Sequence, residues 1–229
     1  MIDIVRASFI FDTPAPPEEN LIAYARRIFD KMDAAAEEFL PFDDYSLYLS
    51  VEEGSIKGFG KVGVWVGGLY LAIGTYGGFI QGVETIKRQG NAVARAVVSA
   101  ASSDEMVQHM PKGRTRVDAG AASQLEGLFV KVRDREIGPK EATRRALEVL
   151  DPTGGELPPE APREIAAALE SLRLNPEQLP LDLGIEEKSV PPSGPAPRRK
   201  RPMPAEQHLF VVIEREKKRS QPRFRTEYR

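Results

Sequence analysis

Apolar and polar residues alternate at the start of the chain. Val5, Ala7, Phe9 and Phe11 fall on one side of residues 2–12, which predicts a strand with one buried face. Pro14, Pro16 and Pro17 end it. The period then changes: Leu21, Ala25, Ile28, Met32, Ala35 and Phe39 keep helical spacing behind Pro17-Glu18-Glu19, with proline where a missing N–H is harmless and acids near the positive helix end. Pro41 closes that helix. Alternation returns in Tyr45, Leu47, Leu49 and Val51, and Glu53-Gly54 predicts a tight turn. Residues 1–56 therefore read as a small β-α-β-β platform, its helix covering one face of the sheet.

The next stretch contains no formal charge for 22 residues, from Val62 to Val83. Residues 55–65 fit a third strand or the lead-in to a helix. The helical reading assigns residues 57–102 to one long element, glycine-rich and apolar at first, then amphipathic through Val93, Val97 and Ala101. At about 100° per residue, Gly60, Gly63, Gly67, Gly74, Gly78 and Gly82 share one side of that helix. Trp65, Leu69, Tyr76 and Ile80 lie opposite, facing lipid or a protein core. Such a glycine face lets two helix backbones approach closely. Twenty-two residues reach about 33 Å, enough for a hydrocarbon core of roughly 30 Å. Nine glycines between residues 58 and 82 oppose this, each costing about 1 kcal/mol relative to alanine. A bilayer and a buried core both fit the segment.

Residues 112–173 form the next region, with three short helices in 121–173. Their apolar positions are Leu125, Leu128, Phe129 and Val132, then Ala142, Ala146, Leu147 and Leu150, then Ile165, Ala168, Leu169 and Leu172. Gly138-Pro139 and Ala161-Pro162 mark the second and third starts. They form a small helical region or pack on the first domain. Residues 174–206 hold eight prolines and read as a disordered linker. In residues 207–229, Leu209 to Ile213 predicts a short strand that needs a sheet edge, its own or a partner's, and the charged end reads as mobile. The fold class is α+β.

Charge divides the chain. From Arg198 onward there are eleven Lys/Arg and four Asp/Glu, so this tail carries +7 against −9 for the remainder. Arg198, Arg199, Lys200 and Arg201 form a basic cluster suited to nucleic acid, anionic lipid or an acidic partner. The absence of cysteine excludes disulfides and thiolate metal sites and fits a reducing cytoplasm. The expected location is the cytoplasm, with association at the inner membrane if the apolar segment inserts.

Candidate chemistry is sparse. Gly58-x-Gly60-x-x-Gly63 matches a dinucleotide fingerprint, but turn residues and acids precede it where a buried parallel strand belongs. Two histidines, His109 and His208, stand far apart, and no carboxylate cluster has metal-ligand spacing. Asp43-Asp44 and Glu52-Glu53 suit backbone hydrogen bonding at turns. No nucleophile–base pair stands out. The expectation is a non-enzymatic, cofactor-free protein that self-associates and anchors to or acts on a membrane through residues 62–83. The alternative is a soluble α+β adaptor whose basic tail meets nucleic acid or an acidic partner.

Overall fold

A computed structural model of the chain describes residues 1–12, 14–109, 113–152, 154–174 and 208–228. Strand β1 (Ile2–Phe11) leads to helix α1 (Glu18–Phe39), then the hairpin β2 (Ser46–Glu52) and β3 (Ile56–Val64). Helices α2 (Val66–Gly74) and α3 (Phe79–Ser103) precede strand β4 (Arg114–Asp118). Three helices follow: α4 (Gly120–Arg133), α5 (Pro139–Leu150) and α6 (Ala161–Leu174). Strands β5 (Leu209–Arg215) and β6 (Arg223–Tyr228) complete the described order.

The six strands form one sheet in the order β4-β1-β3-β2-β5-β6, with every pairing antiparallel. Setting α2 aside, β1-α1-β2-β3-α3-β4 with spatial order 4-1-3-2 is the split βαβ, or ferredoxin-like, plan. The hairpin β5–β6 extends it along the β2 edge. The α+β class and the β-α-β-β start are as the sequence predicts.

The alternation that predicts β1 and β2 also sets the sheet's sides. Val5, Ala7, Phe9 and Phe11, and Leu47, Leu49 and Val51, are buried beneath α1 and α3. Tyr24 on α1 donates its hydroxyl to the Ala101 carbonyl at 3.0 Å, tying the two covering helices together. Helices α4, α5 and α6 share this core rather than standing apart: Phe129 packs edge-on to Phe79 at 6.0 Å, and Leu125, Leu150, Ile165 and Leu169 are fully buried.

The single helix expected across the glycine-rich run is absent. Gly60 and Gly63 lie in β3, Gly67 and Gly74 in α2, Gly78 at the cap of α3 and Gly82 within α3. Strand geometry wins at residues 56–64 because Ile56, Gly58, Gly60, Val62 and Val64 all face inward at period two. At Gly58 a Cβ would sit 1.9 Å from the Phe9 ring, so this position is filled by its cross-strand neighbour. Between α2 and α3, Gly77 takes φ +83°, a conformation that ends a helix, and the Thr75 N–H already turns back to Leu71 and Ala72. Gly82 does bring two helices together, with a Cβ there meeting the Ile73 carbonyl at 2.2 Å. Among the described residues no helix is long and apolar enough to cross a membrane.

The C-terminal segment is a second correction. The charged end from Lys217 to Arg229 reads as mobile in the sequence, yet β6 pairs with β5 from Arg223 to Tyr228, with a turn closed by the Ser220 N–H and the Lys217 carbonyl. Strand β5 takes the chain's own β2 edge. The expected linker at 174–206 falls, but for Leu174 at the end of α6, outside the described residues.

Candidate functional site

The helices cover one face of the sheet, so the side chains that remain for a ligand are those on the other. The strand registers place them in three rows. Arg114, Ile10, Lys57, Glu52, Phe210 and Glu227 form the first, from β4 across to β6. Arg116, Ser8, Phe59, Ser50, Val212 and Arg225 form the second, with Val212 itself buried, and Asp118, Arg6, Lys61, Tyr48, Glu214 and Arg223 the third.

Phe59 sits near the middle of the second row. Its immediate cross-strand neighbours are Ser8 and Ser50, too short to cover a phenyl ring. The ring is accordingly 40% exposed, high for an aromatic in the interior of a six-stranded sheet. Tyr48 lies diagonally beside it, ring centroids 6.4 Å apart and tilted by 58°. The Lys61 ammonium stands 5.6 Å from the Tyr48 ring centre. Beside Phe59 a shallow depression of about 200 Å³ is lined by Arg6, Ser8, Arg116 and Asp118.

Much of the positive charge on this face is compensated. Asp3 contacts both Arg6 and Lys61, Glu52 contacts Lys57, and Arg225 contacts Glu214 and Glu227. Arg114 and Arg116 on the edge strand β4 make no ion pair among the described residues. Basic groups line the β4 edge and the centre, while acids gather at Glu52, Glu214 and Glu227 toward β5 and β6.

The β5–β6 end is locked from the covered side. Arg215 is only 8% exposed, and its guanidinium grips both carboxylate oxygens of Asp33 on α1 while lying over the Tyr45 ring. Burial, then the Asp33 charge, push the Tyr45 hydroxyl up to about 12. Arg26 on α1 lies 4.7 Å over the Phe224 ring of β6. Of the turn acids, Asp44 accepts the Lys218 N–H at 2.8 Å and Glu53 the Leu209 N–H at 2.9 Å, so they tie the C-terminal hairpin to the platform rather than close their own turns, and Glu52 pairs with Lys57.

The expected site residues scatter. Leu69 is buried; Tyr76 and Ile80 are partly buried against the core, and Tyr76 bonds Gln89. Trp65 is 52% exposed, with Leu71 beyond it at 70%. A Cβ on Gly67, Gly74 or Gly78 would meet nothing within 4 Å. Arg198, Arg199, Lys200 and Arg201 lie outside the described residues. The Gly58-x-Gly60-x-x-Gly63 run lies wholly inside a paired antiparallel strand rather than in a turn between a parallel strand and a helix, so it is not a phosphate loop. Among the described residues no three metal-capable side chains converge. The residues missed were Phe59 and Tyr48; alternation of Lys57, Phe59 and Lys61 against inward glycines was the signal. No protein-family model, curated protein or solved structure matches the chain.

Proposed function

We propose that the open sheet face binds single-stranded nucleic acid, without catalysis. One observation carries this reading: an accessible phenyl ring, Phe59, near the middle of the open sheet face, with a second aromatic and several cations around it. Unpaired bases offer apolar π-faces that stack on aromatic side chains, and their phosphates need cations at the rim. Duplex cannot use this arrangement, because its bases are already stacked.

The platform supports the same reading by analogy. In RNA-recognition motifs a four-stranded sheet presents stacking aromatics on its central strands. The β3 residues Lys57-Gly58-Phe59-Gly60-Lys61-Val62-Gly63-Val64 agree with that motif's K/R-G-F/Y-G/A-F-V-x-F/Y at five of its seven specified positions. Lys61 and Val64 stand where the other aromatics belong, and β1 offers Arg6, Ser8 and Ile10 on the open face. Tyr48 on β2 supplies the second ring instead. The likeness is one of platform and chemistry, which is an analogy and not a family assignment. In this reading Arg198–Arg201, eight residues before β5, add electrostatic attraction rather than the base contact.

Fluorescence anisotropy with labelled single strands of RNA and DNA and the matching duplexes tests this. Single strands should bind more tightly than duplex, with log K falling against log salt by about 0.7 for each phosphate neutralised. No binding of either single strand at low salt overturns the reading.

A second reading retains the apolar segment as a surface for self-association or membrane contact. The exposed Trp65 and Leu71, with Gly68 between them at three-residue spacing, favour it. Sedimentation and liposome flotation of wild type and Leu71→Glu test it. A monomer that stays off liposomes removes it.

A further inference from the structure

We infer that the depression beside Phe59 selects guanine as the base that stacks there; this rests on the single-strand reading above. Arg116 and Asp118 are two residues apart on β4 and therefore on the same face of the sheet. Both line the depression, together with the Phe59 ring and Ser8. A base lying on Phe59 thus has a guanidinium and a carboxylate at its edge.

Guanine presents two adjacent donors, N1–H and the N2 amine, on one edge, and two acceptors, O6 and N7, on the next. A carboxylate takes the first pair and an arginine fork gives to the second. No other base satisfies both groups so fully. Adenine sets the acceptor N1 toward the carboxylate, and uracil flanks its single N–H with carbonyls. Cytosine offers the carboxylate one amine and presents a smaller ring to Phe59.

The two reading groups differ in how they are held. Asp118 Oδ1 accepts the Gly120 N–H at 2.9 Å, at the start of α4, so the carboxylate is oriented before a base arrives. Gly120 takes φ +53° and its α-carbon region is packed against the Asp3 carbonyl, where a Cβ would come within 2.0 Å. That packing fixes the turn that aims Asp118. Arg6, the register partner of Asp118, is engaged by Asp3 at 3.3 Å and leaves the Asp118 carboxylate to the ligand. Arg116 has no ion-pair partner among the described residues and is likewise available.

The test is an anisotropy titration of the full chain with uridine tracts of about ten nucleotides carrying one central G, A, C or U. The guanine strand should bind roughly tenfold more tightly than the others. Asp118→Asn keeps an oxygen for the Gly120 N–H but turns an amine toward the guanine donors. It should abolish the preference, bringing the guanine strand to the affinity of the other three. Arg116→Gln should reduce the preference and weaken all strands together. Equal affinity for the four strands, or a preference for another base, overturns this inference and leaves the single-strand reading standing. Failure of every strand to bind overturns the single-strand reading and this inference with it. Because the base series is read on the wild-type protein, a variant that misfolds does not blunt the result.

Discussion

On the covered face of the sheet Phe9 lies over Gly58 and against Tyr24, with no exposed surface. One residue away on the same strands, Ser8 faces Phe59, and that ring meets solvent. The two phenylalanines stand on neighbouring strands, yet alternation gives them opposite work. Phe9 fills space that a glycine opposite leaves for it. Phe59 is bordered by serines that leave its face bare. A buried aromatic contributes to stability through the area it removes from water, whereas an exposed one contributes little to folding and keeps its area for a partner. The difference between the faces is therefore a difference between residues that hold the fold and residues free to bind.

The largest effect that should separate them is on stability. Phe9→Ala should cost about 3–5 kcal/mol by transfer and cavity terms, lowering Tm by roughly 10 °C in a protein of this size. Phe59→Ala should cost much less, about 1 kcal/mol, because two-fifths of the ring is already exposed. Thermal melts of both variants check this; equal losses would erase the distinction between the faces.

Next is the Arg215–Asp33 contact. Asp33→Ala leaves a mostly buried guanidinium without its carboxylate. Since the Asp33 side chain is 32% exposed, water relieves part of that cost, and a loss of about 2 kcal/mol is expected in denaturant titration. Arg215→Met, which removes the charge and keeps the packing, should cost less. The reverse order would mean that the pair does not hold β5 to α1.

A smaller effect comes from pH at the same place. Tyr45 has its hydroxyl raised from 10.0 to about 12, so between these values the folded protein holds a proton that the unfolded chain has released. Stability is fully present below pH 10 and falls as pH rises toward 12. Alkaline unfolding followed with tyrosinate absorbance should show Tyr45→Phe losing less stability than wild type over this window. Identical profiles would remove Tyr45 from the cause.

The smallest effect concerns the two basic regions. Arg114→Gln should lower the salt slope of binding by about 0.7, one phosphate, with Arg116 left in place to read the base. Replacing Arg198, Arg199, Lys200 and Arg201 with glutamine should lower the slope too but leave the preference among bases unchanged. Loss of the base preference on that replacement would move the contact from the sheet to the tail.

How much of this the sequence disclosed depended on how many periods a segment could satisfy. Val5, Ala7, Phe9 and Phe11 fit a strand and no helix, and Leu21 to Ala35 fit a helix and no strand, so both were legible. Residues 56–83 satisfied both periods because glycine suits either side of either element. Only the sheet registers show that Gly58 and Gly60 face inward beneath α1 and α3. Strand β4 was hidden because Arg114-Thr-Arg-Val-Asp118 carries almost no apolar signal, as an edge strand with one open face can. Strand β6 was hidden in the same way: its alternation of Arg223 and Arg225 with Phe224 and Thr226 read as plain charge. The candidate site went unseen for a related reason. In the sequence Phe59 is the spacer of a glycine motif, and its meaning depends on neighbours brought to it from β1 and β2.

The sheet-face contact is tested by ultraviolet cross-linking of the wild-type chain to a single-stranded oligonucleotide, followed by peptide mapping. Cross-links should fall in the β2 and β3 peptides that contain Tyr48 and Phe59, and be lost in Phe59→Ala measured well below its Tm. Cross-links confined to the peptide around Arg198–Arg201, or to α2 at Trp65, with none on β2 or β3, would contradict it.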